Sequence, residues 1–173
     1  MNMHGGRFFF GDIVESAVVF NGQKVRRVGH SYFDFDYDYS ILQKTGESVL
    51  EADLQLSRGD IAPAKLAARQ WALRKAVQPQ KSAGCIFQNL SAVQQATLGL
   101  PTSSIGYLID KVLQLKGVRR GDAIISERHA AFIENLGHAR ATDVYYLYNL
   151  IRNTAREKLN IDLVAEVEFI GSF

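Results

Sequence analysis

The amino-acid sequence predicts an α+β fold. Three observations carry this: strand-like segments fill the first third of the chain, helical periodicity takes over near residue 60, and short strands then reappear between helices. A doubly wound sheet would alternate strand and helix from the beginning. Val14 to Phe20 and Gln23 to Val28 are rich in β-branched residues, and the Asn21-Gly22 pair between them predicts a hairpin. From Ser48 to Leu56 the chain alternates. Leu50, Ala52, Leu54 and Leu56 lie on one side, and Val49, Glu51, Asp53 and Gln55 on the other, the pattern of a half-buried strand.

Arg58-Gly-Asp60 punctuates the sequence, so a domain boundary is expected near Arg58 to Ala62, separating residues 1–61 from 62–173. Asp60 is suited to cap a helix that tolerates Pro63 in its first turn and runs to about Val77. Leu66, Leu73 and Val77 form its apolar stripe, Arg69, Arg74 and Lys75 its solvated side, and Gln78-Pro79 its end. Lys81-Ser-Ala-Gly-Cys-Ile-Phe-Gln-Asn89 gathers small residues, a thiol and a carboxamide, and is expected to form a compact turn. Ser103-Ser104 precede Ile105, Leu108, Ile109 and Val112 at helical spacing, with Gly117 as the expected C-cap. Ala123 to Ser126 and Ala130 to Ile133 are expected as short strands. Thr142 is the expected cap of a longer helix carrying Val144, Leu147, Tyr148 and Ile151 on one face. The closing segment alternates again, with Leu163, Ala165, Val167 and Phe169 opposite Val164, Glu166, Glu168 and Ile170.

Composition narrows the function classes. A chain of 173 residues with 47% hydrophobic content can bury a real core. Twenty Lys and Arg against 18 Asp and Glu leave a net charge of +2, and no basic stripe is interleaved with aromatics, so a nucleic-acid partner is not expected. No apolar run is long enough to span a bilayer, and the start lacks the pattern of a signal peptide, so no membrane role and a cytoplasmic location are expected. A single cysteine, Cys85, rules out an internal disulfide framework. By residue type alone, Cys85 is either a small buried hydrophobe or a working thiol, and Glu166 and Glu168 read as two carboxylates on a solvated face. The Phe8-Phe-Phe10 run reads as core or interface.

The segment 81–89, followed in order by Leu108-Ile-Asp110, Leu115-Lys-Gly117, Ile125-Ser-Glu-Arg-His129 and Val164-Ala-Glu-Val-Glu-Phe-Ile-Gly171, resembles the C-terminal half of the UDP-N-acetylenolpyruvoylglucosamine reductases, also called UDP-N-acetylmuramate dehydrogenases. The resemblance implies a remnant antiparallel sheet of a flavin-binding region over 1–61, then an α+β substrate-binding domain over 62–173. It implies an oxidoreductase that uses FAD and NADPH to reduce UDP-N-acetylglucosamine enolpyruvate in peptidoglycan synthesis, and so serves cell-wall biogenesis, cell shape and division. Cys85 matches the position, usually Ser, whose proton goes to the substrate, and Glu166 matches the carboxylate that stabilises the enol-like intermediate. Asn89, Gln88, His129 and Tyr37 match substrate-contacting positions.

One position departs from the family pattern. Where the family has a Phe-Gly-Tyr-Arg-x-Ser-like stretch, this sequence has Phe35-Asp-Tyr-Asp-Tyr-Ser40, which puts Asp38 in the place of the substrate-binding arginine. A carboxylate cannot give another carboxylate the bidentate grip of a guanidinium, and no arginine lies between Val28 and Gln55 to take over. Residues 1–6 resemble the stretch that closes the family's main flavin-binding region, and no Gly-rich dinucleotide loop occurs here. The expectation is therefore a truncated form that does not retain FAD by itself. The alternatives are a non-catalytic module that binds a UDP-sugar or a partner chain, and a split enzyme whose flavin domain is a separate chain.

Overall fold

The structure, a computed structural model, describes residue 2, residues 4–5, residues 8–76 and residues 78–172. It divides into two compact units, Met1–Trp71 and Ala72–Phe173. As the sequence predicts, antiparallel sheets are accompanied by helices, an α+β architecture.

In the first unit β1 (His4–Gly5) pairs with β2 (Phe8–Phe9), and β3 (Val14–Phe20) is the central strand of a sheet in the order β4-β3-β5. The expected hairpin joins β3 to β4 (Val25–Gly29) through a four-residue loop in which Asn21 Oδ1 accepts from the amides of Gln23 and Lys24 at 3.0 and 2.8 Å. Gly22 takes φ +91 there, a conformation that glycine adopts without strain. A single helical turn, α1 (Leu42–Thr45), precedes β5 (Ser48–Leu54). Val14, Ala17, Val19, Val28 and Phe33 form the small core.

Three expectations are corrected here, in whole or in part. β5 pairs with β3 but is not half-buried: Val49, Leu50 and Leu54 are 45%, 58% and 44% exposed, because the small core packs on β3 and β4 and does not reach these side chains. Phe8 and Phe10 are exposed as well and take no part in the core. Helix α2 (Ile61–Lys75) begins where Asp60 Oδ1 accepts from the Ala62 amide at 3.0 Å, as expected, but every one of its residues is exposed. Leu66 and Leu73 therefore do not form a buried stripe, and Val77 lies outside the described residues.

The second unit is built on a four-stranded antiparallel sheet in the order β6-β9-β8-β7: β6 (Ser82–Cys85), β7 (Arg119–Arg120), β8 (Ala123–Ile125) and β9 (Phe132–Asn135). Before β7 come α3 (Ala92–Thr97) and α4 (Ile105–Tyr107), and α5 (Ala141–Leu159) follows β9. Leu147, Tyr148, Ile151 and Ala155 of α5 are buried and join Phe87, Leu108, Ile109 and Ile125 in one core, at the spacing the sequence shows. Burying such side chains is worth about 1.5–3 kcal/mol each, and this core is the larger of the two.

Other local expectations differ from the structure. Segment 81–89 is not one turn: its Ser82–Cys85 part is the bulged strand β6, with a register shift between Ser82 and Cys85 that spans Gly84, whose φ is +93. The helix after Ser104 passes at Leu108–Val112 into a π-turn, and Gln114, not Gly117, is the first left-handed residue after it. The cap of α5 is Arg140, whose amide donates to Asp143 at 3.1 Å, so Thr142 falls inside the first turn. The closing segment makes one bridge, Ala165 to Phe87, and then bends at Glu166 and Val167 instead of continuing as an alternating strand.

Candidate active site

Three chain segments meet at Cys85. On one side β6 pairs with β9, Cys85 standing opposite Phe132, and the Ile86 amide donates to Ala131 C=O at 2.9 Å. On the other side the closing segment docks by two bonds: the Gln88 amide donates to Val164 C=O and the Glu166 amide to Ile86 C=O, both at 2.9 Å. This register puts Glu166 beside Cys85. Both side chains are half-buried. Burial pushes the Cys85 thiol above the ordinary thiol range, the negative charge of Glu166 adds to the shift, and the positive charge of Lys75 opposes it. Cys85 is consequently a neutral S–H at neutral pH, able to give a proton but not poised as a thiolate nucleophile.

His129 lies just before β9. Its Nδ1 accepts a long bond from the Ala131 amide at 3.4 Å, which leaves Nε2 to carry the ring proton, and its ring meets Phe132 edge-on at 4.9 Å. Burial lowers its pKa below the ordinary histidine value, and the charges of Lys75 and Lys116 act in the same direction, so the neutral form prevails at pH 7. Gly106 in α4 leaves space for this ring: a Cβ there would come within 3.0 Å of His129 Cε1.

Asn89 is exposed, and its Oδ1 accepts from the Ile105 amide at 3.1 Å. Its carbonyl is thus used to cap α4, and the side-chain NH2 is what it can offer a ligand oxygen. Gln88 is half-buried next to it. Tyr37 and Asp38 belong to the first unit. They form the tip of a tight turn closed by two bonds between Asp36 and Tyr39, at 3.2 and 3.1 Å, with Asp38 at φ +51. Aspartate adopts that left-handed conformation more readily than most residues, which is a local reason for its presence there. Lys75 lies on the solvated side of α2, as periodicity predicts, and its charge still acts on Cys85 and His129, which helical spacing does not encode.

Among the described residues no group of three or more His, Cys, Asp or Glu could hold a metal ion, and no helix is long and apolar enough to cross a membrane.

Residues 77–170 match the family model described as UDP-N-acetylenolpyruvoylglucosamine reductase, C-terminal domain. The chain belongs to this reductase family. Among curated relatives, the UDP-N-acetylenolpyruvoylglucosamine reductase of Pseudothermotoga lettingae is 34% identical over 163 residues, covering 91% of this chain and 53% of that protein. That of Bacillus subtilis is 38% identical over 165 residues, covering 92% of this chain and 50% of that protein. The crystal structure of UDP-N-acetylenolpyruvylglucosamine reductase from Thermus caldophilus superposes with a TM-score of 0.77 at 32% identity, over 96% of this chain and 57% of that one. The chain thus spans about half the length of the curated relatives it matches. The α+β fold expected from the sequence is the fold of this reductase.

Proposed function

We propose that this chain is the substrate-binding and proton-delivering half of a UDP-N-acetylmuramate dehydrogenase, which reduces UDP-N-acetylglucosamine enolpyruvate for peptidoglycan synthesis. The observation that carries the reading is the docking of the closing segment on β6, with Glu166 N–H bonded to Ile86 C=O beside the Cys85 thiol. In this role Cys85 gives its proton to C2 of the enolpyruvyl group. The S–H bond breaks, a C–H bond forms, and the thiolate is reprotonated from solvent. Glu166, held next to it, fixes the electrostatics of the carbon that takes the proton. Asn89 offers its NH2 to a diphosphate oxygen, Gln88 stands beside it, His129 offers Nε2–H to the nucleotide sugar, and Tyr37 contributes a phenol.

In the family the hydride for C3 comes from FAD reduced by NADPH. The described residues do not fit FAD by themselves: their left-handed glycines, such as Gly22, Gly46 and Gly99, stand singly in turns, and none belongs to a Gly-rich loop that opens a helix around a diphosphate. The reading therefore calls for a flavin-binding region outside these residues, in the same polypeptide or in a separate chain. The uncovered sheet around Leu50 and Leu54 supports this. Residues 1–61 are read as the remainder of that region and 62–173 as the substrate-binding domain, acting in the cytoplasm.

A second reading is a binding module without turnover, favoured by Asp38 in its left-handed turn where a guanidinium is wanted. One preparation tests both. The 173-residue chain, purified alone, is expected to show no stoichiometric flavin spectrum and to bind UDP-N-acetylglucosamine in a calorimeter. A yellow, flavin-saturated protein would contradict the assignment of FAD to another region. Absence of any nucleotide-sugar binding would contradict both readings.

A further inference from the structure

Next to the Cys85 and Glu166 pair lies an apolar cavity that the functional reading leaves unused. It exists because the closing segment leaves β6 early. The two backbones are joined over residues 86–88 and 164–166, and the segment then bends at Glu166 and Val167 instead of running on alongside Gly84 and Ala83. The gap between them is a cavity of about 240 Å³. Ala83 and Ile86 line it from the Cys85 strand, Val144 and Tyr148 from α5, and Val167 and Phe169 from the closing segment. Phe169 meets the rings of Tyr148 and Tyr145 edge-on, at 4.7 and 5.3 Å. Glu168 is the one charged side chain among the described lining residues, and it is exposed, which puts it at the mouth.

The lining sets what the cavity takes. Apolar walls favour a small hydrophobic group and penalise an unpaired polar one, whereas a carboxylate at the mouth accepts a hydrogen bond from an N–H. A substituent with an alkyl tip and an amide N–H at its base, an N-acyl group, suits both. In the nucleotide sugar of the proposed reaction, the acetamido group stands on the ring carbon next to the one that carries the enolpyruvyl ether. With the enolpyruvyl carbon against the Cys85 thiol, the acetamido group is therefore also a close neighbour of that strand, where Ala83 and Ile86 bound the cavity. Asn89, which offers its NH2 to the diphosphate, lies farther along the chain in the other direction, so the two parts of the ligand have separate places.

We propose that this cavity is an N-acyl subsite, which takes the acetyl methyl of the sugar while Glu168 accepts from the amide N–H, and so sets a preference for 2-acylamino over 2-hydroxy nucleotide sugars. The inference rests on the functional reading above, and it makes Val144 and Glu168 specificity-determining residues. The cavity is larger than a methyl group needs, so a longer acyl chain is expected to enter as well.

The test is calorimetric titration of the full 173-residue chain with UDP-glucose, UDP-N-acetylglucosamine and UDP-N-propionylglucosamine. The unaltered chain is expected to bind the acetyl sugar about tenfold or more tighter than UDP-glucose, the combined effect of one buried methyl and one hydrogen bond to a charged acceptor. The propionyl sugar is expected to bind at least as tightly as the acetyl one. Val144→Phe fills the cavity from α5 and Ala83→Leu fills it from β6. Each is expected to abolish the advantage of the acyl sugars and to leave UDP-glucose unchanged, and thermal unfolding of both shows which is folded well enough to be read. Glu168→Ala is expected to weaken the two acyl sugars by the same factor and UDP-glucose not at all. Equal affinity of the unaltered chain for UDP-glucose and UDP-N-acetylglucosamine, exclusion of the propionyl sugar, or an equal loss on all three ligands in a folded filled variant overturns the subsite and leaves the functional reading standing. Failure of the unaltered chain to bind any of the three overturns that reading itself, and this inference with it.

Discussion

Asp38→Arg is expected to raise turnover by about a hundredfold or more in a chimera where these 173 residues replace the matching half of the Bacillus subtilis relative. On the proposed reading, position 38 faces the substrate carboxylate, which a carboxylate there would repel and a guanidinium would grip with two parallel charge-assisted bonds. The change has a structural cost. Asp38 has φ +51 at the tip of the Asp36 to Tyr39 turn, and a longer side chain forced into the left-handed region loses about 1–2 kcal/mol. Turnover and thermal midpoint are therefore expected to move in opposite directions, turnover up and Tm down by a few degrees. A chimera that already turns over normally, and does not respond to Asp38→Arg, would show that Asp38 is no defect.

Cys85→Ala in the Asp38→Arg chimera is expected to lower kcat by about a hundredfold to ten-thousandfold, the usual contribution of one positioned proton donor. Cys85→Ser keeps an O–H in the same place and is expected to retain most of the rate. The pair distinguishes donation of a proton from mere filling of space, since alanine and serine are close in volume and differ in the hydroxyl. Similar rates for the two variants would remove Cys85 from the chemistry and return it to the role of a small buried side chain. Folding is not expected to separate them, because Cys85 is only half-buried and lies at the rim of the core.

Much of the fold was legible because its signals are local. The Asn21-Gly22 hairpin, the Asp60 cap and the α5 face of Val144, Leu147, Tyr148 and Ile151 follow from turn chemistry and period, and each stands where those rules put it. The errors have a common origin in backbone departures from regularity. Gly84 turns what reads as a loop into a bulged strand, the π-turn at Leu108–Val112 moves the left-handed residue to Gln114, and the bend at Glu166 ends the alternation that Leu163 and Ala165 begin. α3 carries a local signal of the same kind, the Ser-x-x-Gln capping box of Ser91 and Gln94.

The candidate site was legible for a different reason. Pattern alone favoured a solvated Glu166 and an inert Cys85, and only the ordered resemblance singled them out. Their adjacency depends on the docking of residues 164–166 onto 86–88, a pairing between segments about eighty positions apart that no periodicity reveals.

The most direct test of the central claim, that residue 166 places its charge beside the thiol of residue 85, is the pH dependence of alkylation of the unaltered chain and of Glu166→Gln. The single cysteine makes the reading unambiguous. With Glu166 ionised, the thiolate is disfavoured by burial and by that neighbouring charge, so the unaltered midpoint is expected above the ordinary thiol value. Removing the charge should move the midpoint down while leaving the part due to burial. An identical midpoint in the two proteins would mean that Glu166 and Cys85 do not share a site.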